Sequence, residues 1–297
     1  MRVGISGSSG LIGTELRRQL EAAGHVAVPL VRHTASAHEV RWDPAHQAAS
    51  PAHLVGIDAI VNLAGAGIGD HRWTDEYRKE LVDSRLVTTT SLAEACGALS
   101  DGPRILLSGS AVGFYGDRHD EELDETSAAG AGFLADLCER WEAATAPAEA
   151  AGVRVAHLRT GIVLSPAGGA LRKQLPLFKL GLGGRFGNGR QYQSWISIDD
   201  EVGAIMHLLG AEVSGAVNLT APNPVTNTEF SRLLGKQLHR PAILPIPSFG
   251  PKLLLGGELA EALLFTGQRV LPRVLEASGY TFRQATLEQA LAALLPR

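Results

Sequence analysis

The sequence predicts an α/β protein with a doubly wound parallel sheet and a small helical lobe near the carboxyl terminus. Strand-like apolar runs alternate with segments of helical periodicity along most of the chain. The first run leads directly into three glycines at Gly7, Gly10 and Gly13, and a helical pattern follows them. After Arg240 prolines interrupt short apolar segments, which indicates a different, smaller unit.

The apolar runs and the turn residues between them define the expected elements. Strands are predicted at residues 3–6, 26–31, 59–64, 104–108, 153–158 and 216–219. The first helix should cover residues 11–23, because Gly24 suits the left-handed position after a helix. Thr226 and Glu229 match a capping box, so a helix is expected over residues 229–238, and a last one near 286–295. We expect residues 1–240 to form the nucleotide-binding domain with its substrate-loop insertions, and residues 247–297 the small C-terminal domain.

Composition favours small-molecule chemistry. The 297 residues carry a formal net charge of −4 with both signs interspersed, so neither nucleic acid nor a membrane is an expected partner. Cys96 and Cys138 lack the spacing of metal ligands or of a disulfide framework, so we expect packed thiols and no metal. The first strand begins at residue 2, which leaves no room for a signal peptide, and no apolar run approaches the roughly 20 residues of a membrane span. A cytoplasmic monomer or homodimer is expected.

The glycine-rich turn predicts a dinucleotide site. Gly7 would let the chain turn with a positive φ, Gly10 would let the backbone approach a pyrophosphate, and Gly13 would let the helix pack closely on the strand. The free N–H groups at the start of the helix, aided by its dipole, would bind the phosphates.

Arg32 predicts which nicotinamide cofactor binds. An NAD site normally has an acidic residue at the end of the second strand, whereas a basic residue there can pair with a 2′-phosphate. Here Arg32 and His33 follow the strand and no carboxylate does, so NADP(H) is expected and NAD(H) is less favoured. The small residues of Asn62-Leu-Ala-Gly65 would let the next strand end lie against the cofactor.

Ordered motifs along the chain resemble an atypical short-chain dehydrogenase/reductase family, the NAD(P)-dependent epimerase-like proteins with a C-terminal domain of unknown function. The motifs include Asn62–Gly65, Arg72–Thr74, Ser108–Asp117, Ser194–Ile196, Asn218–Pro222 and Gly267–Pro272. The resemblance implies a Rossmann fold of the extended type with NADP contacts at Val31, Arg32, Leu63, Ala64, Glu80, Arg85 and Val163. With the glycine turn and the neighbouring strand ends, the expected cofactor set also includes Gly7, Ser9, Gly10, Leu11, Ile12, Gly13, Gly65 and Ser108.

The usual catalytic pair of that superfamily is missing. Its redox-active members use Tyr-x-x-x-Lys on one helix, but none of the four tyrosines has a lysine four residues later. Ser110 and Tyr115 are the remaining catalytic candidates, with Tyr115 as proton donor; the alternative is that both only shape the turn and cover the cofactor. Asp136, Glu139 and Glu142 lie on the helix that replaces the pair. They are expected to form a solvated acidic face, and the alternative is a role in catalysis.

Three residues are candidates for the substrate. Gln191 and Trp195 fit the substrate loop of nucleotide-sugar epimerases, but that loop's arginine is Gln193 here, which argues against a nucleotide diphosphate. Arg72 could form a lid over the pocket or be a surface residue.

Three functions remain open on the sequence. The first is an NADP-dependent oxidoreductase or epimerase-like enzyme acting on an unidentified small molecule. The second is a catalytically inactive NADP(H)-binding sensor or scaffold, and the third is a nucleotide-sugar epimerase.

Overall fold

A computed structural model describes residues 1–46 and 50–296 of the chain. In chain order the strands are β1 (Arg2–Ser6), β2 (Val26–Val31), β3 (Val40–Arg41), β4 (Ala59–Asn62), β5 (Ile105–Ala111), β6 (Glu122–Leu123), β7 (Arg154–Thr160), β8 (Ile162–Leu164), β9 (Tyr192–Gln193), β10 (Trp195–Ser197), β11 (Gly215–Leu219), β12 (Val225–Thr226) and β13 (Arg269–Val270). The helices are α1 (Leu11–Ala22), α2 (Asp75–Ala98), α3 (Phe133–Ala143), α4 (Ala146–Ala150), α5 (Gly169–Lys179), α6 (Ile198–Gly210), α7 (Asn227–Gln237), α8 (Phe249–Leu255), α9 (Gly257–Ala260), α10 (Arg273–Ala277) and α11 (Leu287–Leu294). Short 3₁₀ turns cover Pro51–Leu54 and Val112–Tyr115, and a π-helical turn covers Glu261–Phe265.

Seven strands form the central sheet, in the order β11-β7-β5-β4-β1-β2-β3. Every pairing in it is parallel, and the order of the strands reverses between β1 and β4. The register places Ser6 beside Asn62 and Asn62 beside Ser108, so the carboxyl ends of three central strands meet at one edge. The doubly wound parallel sheet predicted from the sequence is confirmed.

The sheet is buried on both faces, which explains why its strands are almost continuously apolar. Leucines and valines of α1 and α6 cover one face, with Leu16 and Val202 fully buried. Helices α2 and α4 cover the other face, where Leu92 and Ala148 are fully buried.

Several element ends differ from the sequence-based prediction. Strand β5 continues to Ala111 rather than residue 108, because its pairing with β7 runs on to Thr160. The edge strand β3 carries no apolar run and was not expected. Helix α7 begins at Asn227 after Thr226, whose side chain accepts from the Glu229 N–H, whereas the reciprocal capping box belongs to Thr286 and Gln289 before α11.

The C-terminal segment packs onto the nucleotide-binding domain. Leu275 of α10 joins the cluster between the sheet and α6, and Leu287 and Leu291 of α11 pack with Trp195. Asp200 of α6 secures the segment, because its buried carboxylate accepts from the main-chain N–H groups of Arg283 and Gln284.

Both cysteines are buried free thiols, as predicted. Burial raises the pKa of Cys96 to about 12 and that of Cys138 to about 11. Over the two described ranges no group of three or more His, Cys, Asp or Glu residues is arranged to hold a metal ion. No helix within these ranges has the length and apolar character needed to cross a membrane.

Candidate cofactor and active site

The turn between β1 and α1 has the geometry that its glycines predict. Gly7 has φ +69°, in the left-handed region, and a Cβ there would lie 2.7 Å from the Leu63 carbonyl oxygen. A Cβ on Gly13 would collide with the Gly7 carbonyl oxygen, so Gly13 allows the close contact between helix and turn. The Gly10 N–H donates to the Gly7 carbonyl at 3.0 Å and closes the turn. A larger side chain at Gly7 or Gly13 would therefore push the turn apart.

A cavity of about 340 Å³ opens at this turn. It lies at the carboxyl edge of the sheet, where parallel α/β folds bind their ligands. Seven of the residues predicted to contact the cofactor line it, together with residues of β8 and the start of α5: Gly7, Gly10, Leu11, Ile12, Gly13, Leu63, Ile162, Val163, Gly169 and Ala170. The main chain of the turn and apolar side chains therefore provide a surface for the flat parts and phosphates of a dinucleotide.

Arg32 extends from the end of β2 into solvent. Among the described residues no carboxylate lies within ion-pair distance of its guanidinium; the nearby Glu39 approaches His33 instead, at 3.7 Å. The preceding residue, Val31, is a buried member of β2. An exposed arginine without a carboxylate partner fits the 2′-phosphate of NADP(H).

Arg85 brings a second cation to the site from α2. Its side chain is buried, it donates to the Leu81 carbonyl at 3.1 Å, and its guanidinium lies 5.0 Å from the centre of the Trp141 ring. It also packs against Gly65, where a Cβ would lie 3.1 Å from Cζ. Among the described residues it has no carboxylate partner, and burial lowers its pKa. Glu80, on the same helix, is exposed and does not line the cavity.

A buried ion pair occupies the region where the catalytic pair is missing. Glu142 of α3 binds Arg159 of β7 through two hydrogen bonds of 2.8 Å. Ser110, at the end of β5, donates to the same carboxylate at 2.6 Å. Burial raises the pKa of Glu142, but the hydrogen bonds from Arg159 and Ser110 outweigh it, so the net direction is downward. Glu142 is therefore an anion held against Ser110, and its predicted place on a solvated acidic face is wrong.

The structure contradicts the predicted role of Tyr115 as proton donor. The side chain is fully buried, its hydroxyl donates to Asn218 Oδ1 at 2.7 Å, and Arg159 donates to it at 3.0 Å. Burial raises its pKa even though Arg159 lies beside it. Tyr115 thus links the ion pair to β11, and no face of it is open to a substrate.

The three residues predicted to bind substrate are engaged in contacts within the protein. Arg72 donates to the main-chain carbonyls of Leu253 and Leu254 at the end of α8. Gln191 donates to the carbonyl of Phe186 in its own loop and to that of Leu264 in the π-helical turn. Trp195 is fully buried and donates to the Asn223 carbonyl, so its predicted substrate contact is wrong for this conformation.

Glu201 is a further buried carboxyl group near the same edge of the sheet. It lies in the first turns of α6 and is fully buried; Thr160 Oγ1, at the end of β7, donates to Oε1 at 3.0 Å. Among the described residues its second oxygen has no hydrogen-bond partner. Burial raises its pKa to about 8, so it carries a proton at neutral pH.

Sequence reasoning missed Arg159, Asn218 and Glu201. Asn218 belongs to a predicted strand and Arg159 directly follows one, so both resemble ordinary sheet residues. A charged residue next to the apolar run of a strand, as in Arg159, was the available signal, because a buried arginine needs a partner.

Comparison with known proteins identifies close relatives over the whole chain. The model of the NAD-dependent epimerase/dehydratase family matches residues 3–220, and that of a domain of unknown function matches residues 246–294. An epimerase family protein of Mycobacterium bovis is 45% identical over 291 residues, 97% of this chain and 96% of that protein.

Solved structures of epimerase-type proteins also match nearly the whole chain. The crystal structure of the human epimerase family protein SDR39U1 with NADPH matches with a TM-score of 0.90 and 35% identity, covering 99% of each chain. A nucleoside-diphosphate sugar epimerase from Corynebacterium glutamicum matches with a TM-score of 0.80 and 38% identity, covering 99% of this chain and 58% of that one. The family resemblance predicted from the motifs is confirmed.

Proposed function

The chain belongs to the NAD-dependent epimerase/dehydratase family, and we propose that it is an NADP(H)-dependent oxidoreductase or epimerase-like enzyme acting on a small molecule. The observation that supports this best is the cavity that opens at the turn of Gly7 and Gly13, at the end of the sheet. The human relative, whose structure contains NADPH, supports the choice of cofactor.

NADP(H) would be held at three places. The turn from Gly7 to Gly13 would receive the pyrophosphate on its main-chain N–H groups. Arg32 would pair with the 2′-phosphate. The buried, carboxylate-free Arg85 would supply the positive charge that a lysine provides in the usual pair. When bound, the cofactor supplies or accepts a hydride.

Ser110 is the proposed proton carrier. In the oxidative direction its hydroxyl takes the proton of the substrate alcohol while its own proton passes to Glu142 Oε1, 2.6 Å away. Arg159 keeps Glu142 ionised and correctly oriented for this transfer. In the reductive direction a proton from solvent reaches the substrate oxygen by the same route, through a Glu142 that is protonated only transiently because Arg159 favours its ionised form.

Two measurements test the proposal. Titration of intrinsic fluorescence should show that NADPH binds at least about tenfold tighter than NADH, a difference of about 1.4 kcal/mol. Single-turnover mixing of the NADPH complex with a panel of small aldehydes and ketones should show loss of NADPH absorbance with at least one of them. Tight NADPH binding without oxidation by any of them would favour the sensor or scaffold function instead.

A nucleotide-sugar epimerase is the second enzymatic candidate. The Corynebacterium relative bears that description, and this supports it. Against it stand Gln193 in place of the substrate-binding arginine, and the engagement of Arg72 and Gln191 in contacts within the protein. Conversion of a UDP-hexose to its epimer by the protein loaded with NADP⁺, the oxidised form that can accept the sugar's hydride, would establish it.

A further inference from the structure

Large apolar side chains are exposed on α8 and on the segments around residues 180 and 243. Seven of them are more than half exposed: Leu180, Leu182, Ile243, Leu244, Phe249, Leu253 and Leu254. Helix α8 has no buried residue, although its sequence, FGPKLLL, is mostly apolar. Monomeric proteins rarely expose apolar side chains in such number at one place unless the surface has a partner.

These side chains belong to one continuous surface. The chain after α5 runs beside the chain before α8: Arg240 Nε donates to the Lys179 carbonyl at 2.9 Å, and the Ile246 N–H donates to the Arg185 carbonyl at 2.8 Å. Pro241 packs 3.7 Å from where a Cβ on Gly181 would lie. We call the surface of residues 177–185 and 240–254 the basic apolar face.

The two segments that carry these side chains contain cations but no carboxylates. Residues 161–198 and 230–257 contain nine Lys and Arg and no Asp or Glu, although the whole protein has a net charge of −4. Four of the five lysines of the chain are among the nine. In the described part of the structure, Lys252 is the one of these nine that pairs with a carboxylate, that of Glu261. Among the others, Lys179 and Lys236 are exposed and can contact an anionic partner.

We propose that the basic apolar face docks the protein on the surface of an anionic lipid bilayer. Leu180, Ile243 and the leucines of α8 would enter the boundary between headgroups and acyl chains, while the surrounding lysines and arginines contact the lipid phosphates. This binding is interfacial and needs no membrane-spanning helix. It adds to the proposed function and does not depend on it.

The charge pattern distinguishes a bilayer from a second copy of the chain. A twofold dimer through this face would bring the same cations together from both subunits, and that repulsion opposes association. An anionic bilayer offers both a complementary charge and an apolar interior. Sequence analysis missed this surface because its cations are spread over two segments about 50 residues apart, and no short run of the chain is polybasic.

The position of the face connects it to the cofactor cavity. Gly169 and Ala170 at the start of α5 line the cavity, and the far end of the same helix, at Lys179, borders the basic apolar face.

Co-sedimentation of the full-length protein with vesicles tests the proposal. The protein should sediment with phosphatidylcholine vesicles that contain phosphatidylglycerol, should stay in solution with phosphatidylcholine alone, and should be released by high salt. The double variant Lys179→Gln, Lys236→Gln should bind roughly 25-fold more weakly, at about fivefold for each cation removed. Ile243→Ser with Leu253→Ser should also weaken binding.

Matched controls separate this surface from a general charge effect. Arg2→Gln with Arg41→Gln removes the same charge from exposed sites elsewhere, and Val26→Ser with Val55→Ser removes exposed apolar groups elsewhere. Both controls should bind vesicles like the unmodified protein. Equal losses in controls and face variants, or failure of the unmodified protein to bind anionic vesicles, would overturn the proposal. A dimer that Leu253→Ser dissolves, with no vesicle binding, would assign the face to a second copy.

Discussion

The two halves of the candidate site are built in different ways. The cofactor half is a turn within residues 7–13, whose shape follows from main-chain geometry and from the lack of side chains at Gly7 and Gly13. The half around Ser110 consists of side chains from β5, α3, β7 and β11, joined through a buried ion pair. The first half is a property of a short sequence, and the second exists only once distant segments have folded together.

The buried Glu142–Arg159 ion pair should contribute much more to the free energy of unfolding than a surface ion pair does. Arg159→Met leaves Glu142 buried without its cation, so the free energy of unfolding should fall by about 3–5 kcal/mol in urea titrations. Arg269→Met, which removes the partly exposed pair with Glu122, is the matched control and should cost about 1 kcal/mol or less. Equal losses in the two variants would contradict the distinction.

The buried carboxyl group of Glu201, which lies on α6 against Thr160 of β7, should make the free energy of unfolding depend on pH. Glu201 has a pKa of about 8 in the folded protein and near 4.5 when unfolded, so its contribution is fully present below pH 4.5 and is lost as the pH rises toward 8. From pH 6.5 to 8 the free energy of unfolding should fall by up to about 1.4 kcal/mol per pH unit.

Glu201→Gln supplies the control for this pH dependence. The amide keeps a similar shape and cannot ionise, so the decline between pH 6.5 and 8 should be weaker in the variant than in the unmodified protein. Parallel pH profiles for the two proteins, obtained by urea unfolding, would show that Glu201 does not retain its proton on folding.

A charge change at the surface of the cofactor half should alter the affinity for the cofactor and leave the free energy of unfolding almost unchanged. Arg32→Asp should lower the affinity for NADPH by at least about tenfold, or 1.4 kcal/mol, and should reverse the preference toward NADH. Arg232→Asp makes the same charge change on the exposed face of α7 and should leave both affinities unchanged. If the unmodified protein binds the two cofactors equally, the assignment of Arg32 to the 2′-phosphate is wrong.

The sequence predicted the parallel sheet and the shape of the glycine turn, because both depend on local patterns, whereas the residues that contact the cofactor stay a prediction. Alternating apolar runs indicate the parallel sheet, and Gly7 has the positive φ that its place in the motif requires. Arg159 is 17 residues from Glu142 and 44 from Tyr115, so no spacing rule connects them. Motif positions near strand ends led to the assignment of Trp195 to the substrate and of Tyr115 to proton transfer. Both side chains are buried, because burial depends on which distant segments pack over a strand end.

Single-turnover oxidation of bound NADPH by a reactive carbonyl compound, compared between Ser110→Ala and Tyr115→Phe, tests the central claim most directly. Removal of the proposed proton carrier should slow the reaction about 100-fold at unchanged NADPH affinity, the usual scale for a positioned acid or base. Tyr115→Phe should react within about threefold of the unmodified protein and lose about 1 kcal/mol of stability with its hydrogen bonds. A large loss of rate in Tyr115→Phe with an unchanged rate in Ser110→Ala would contradict the account.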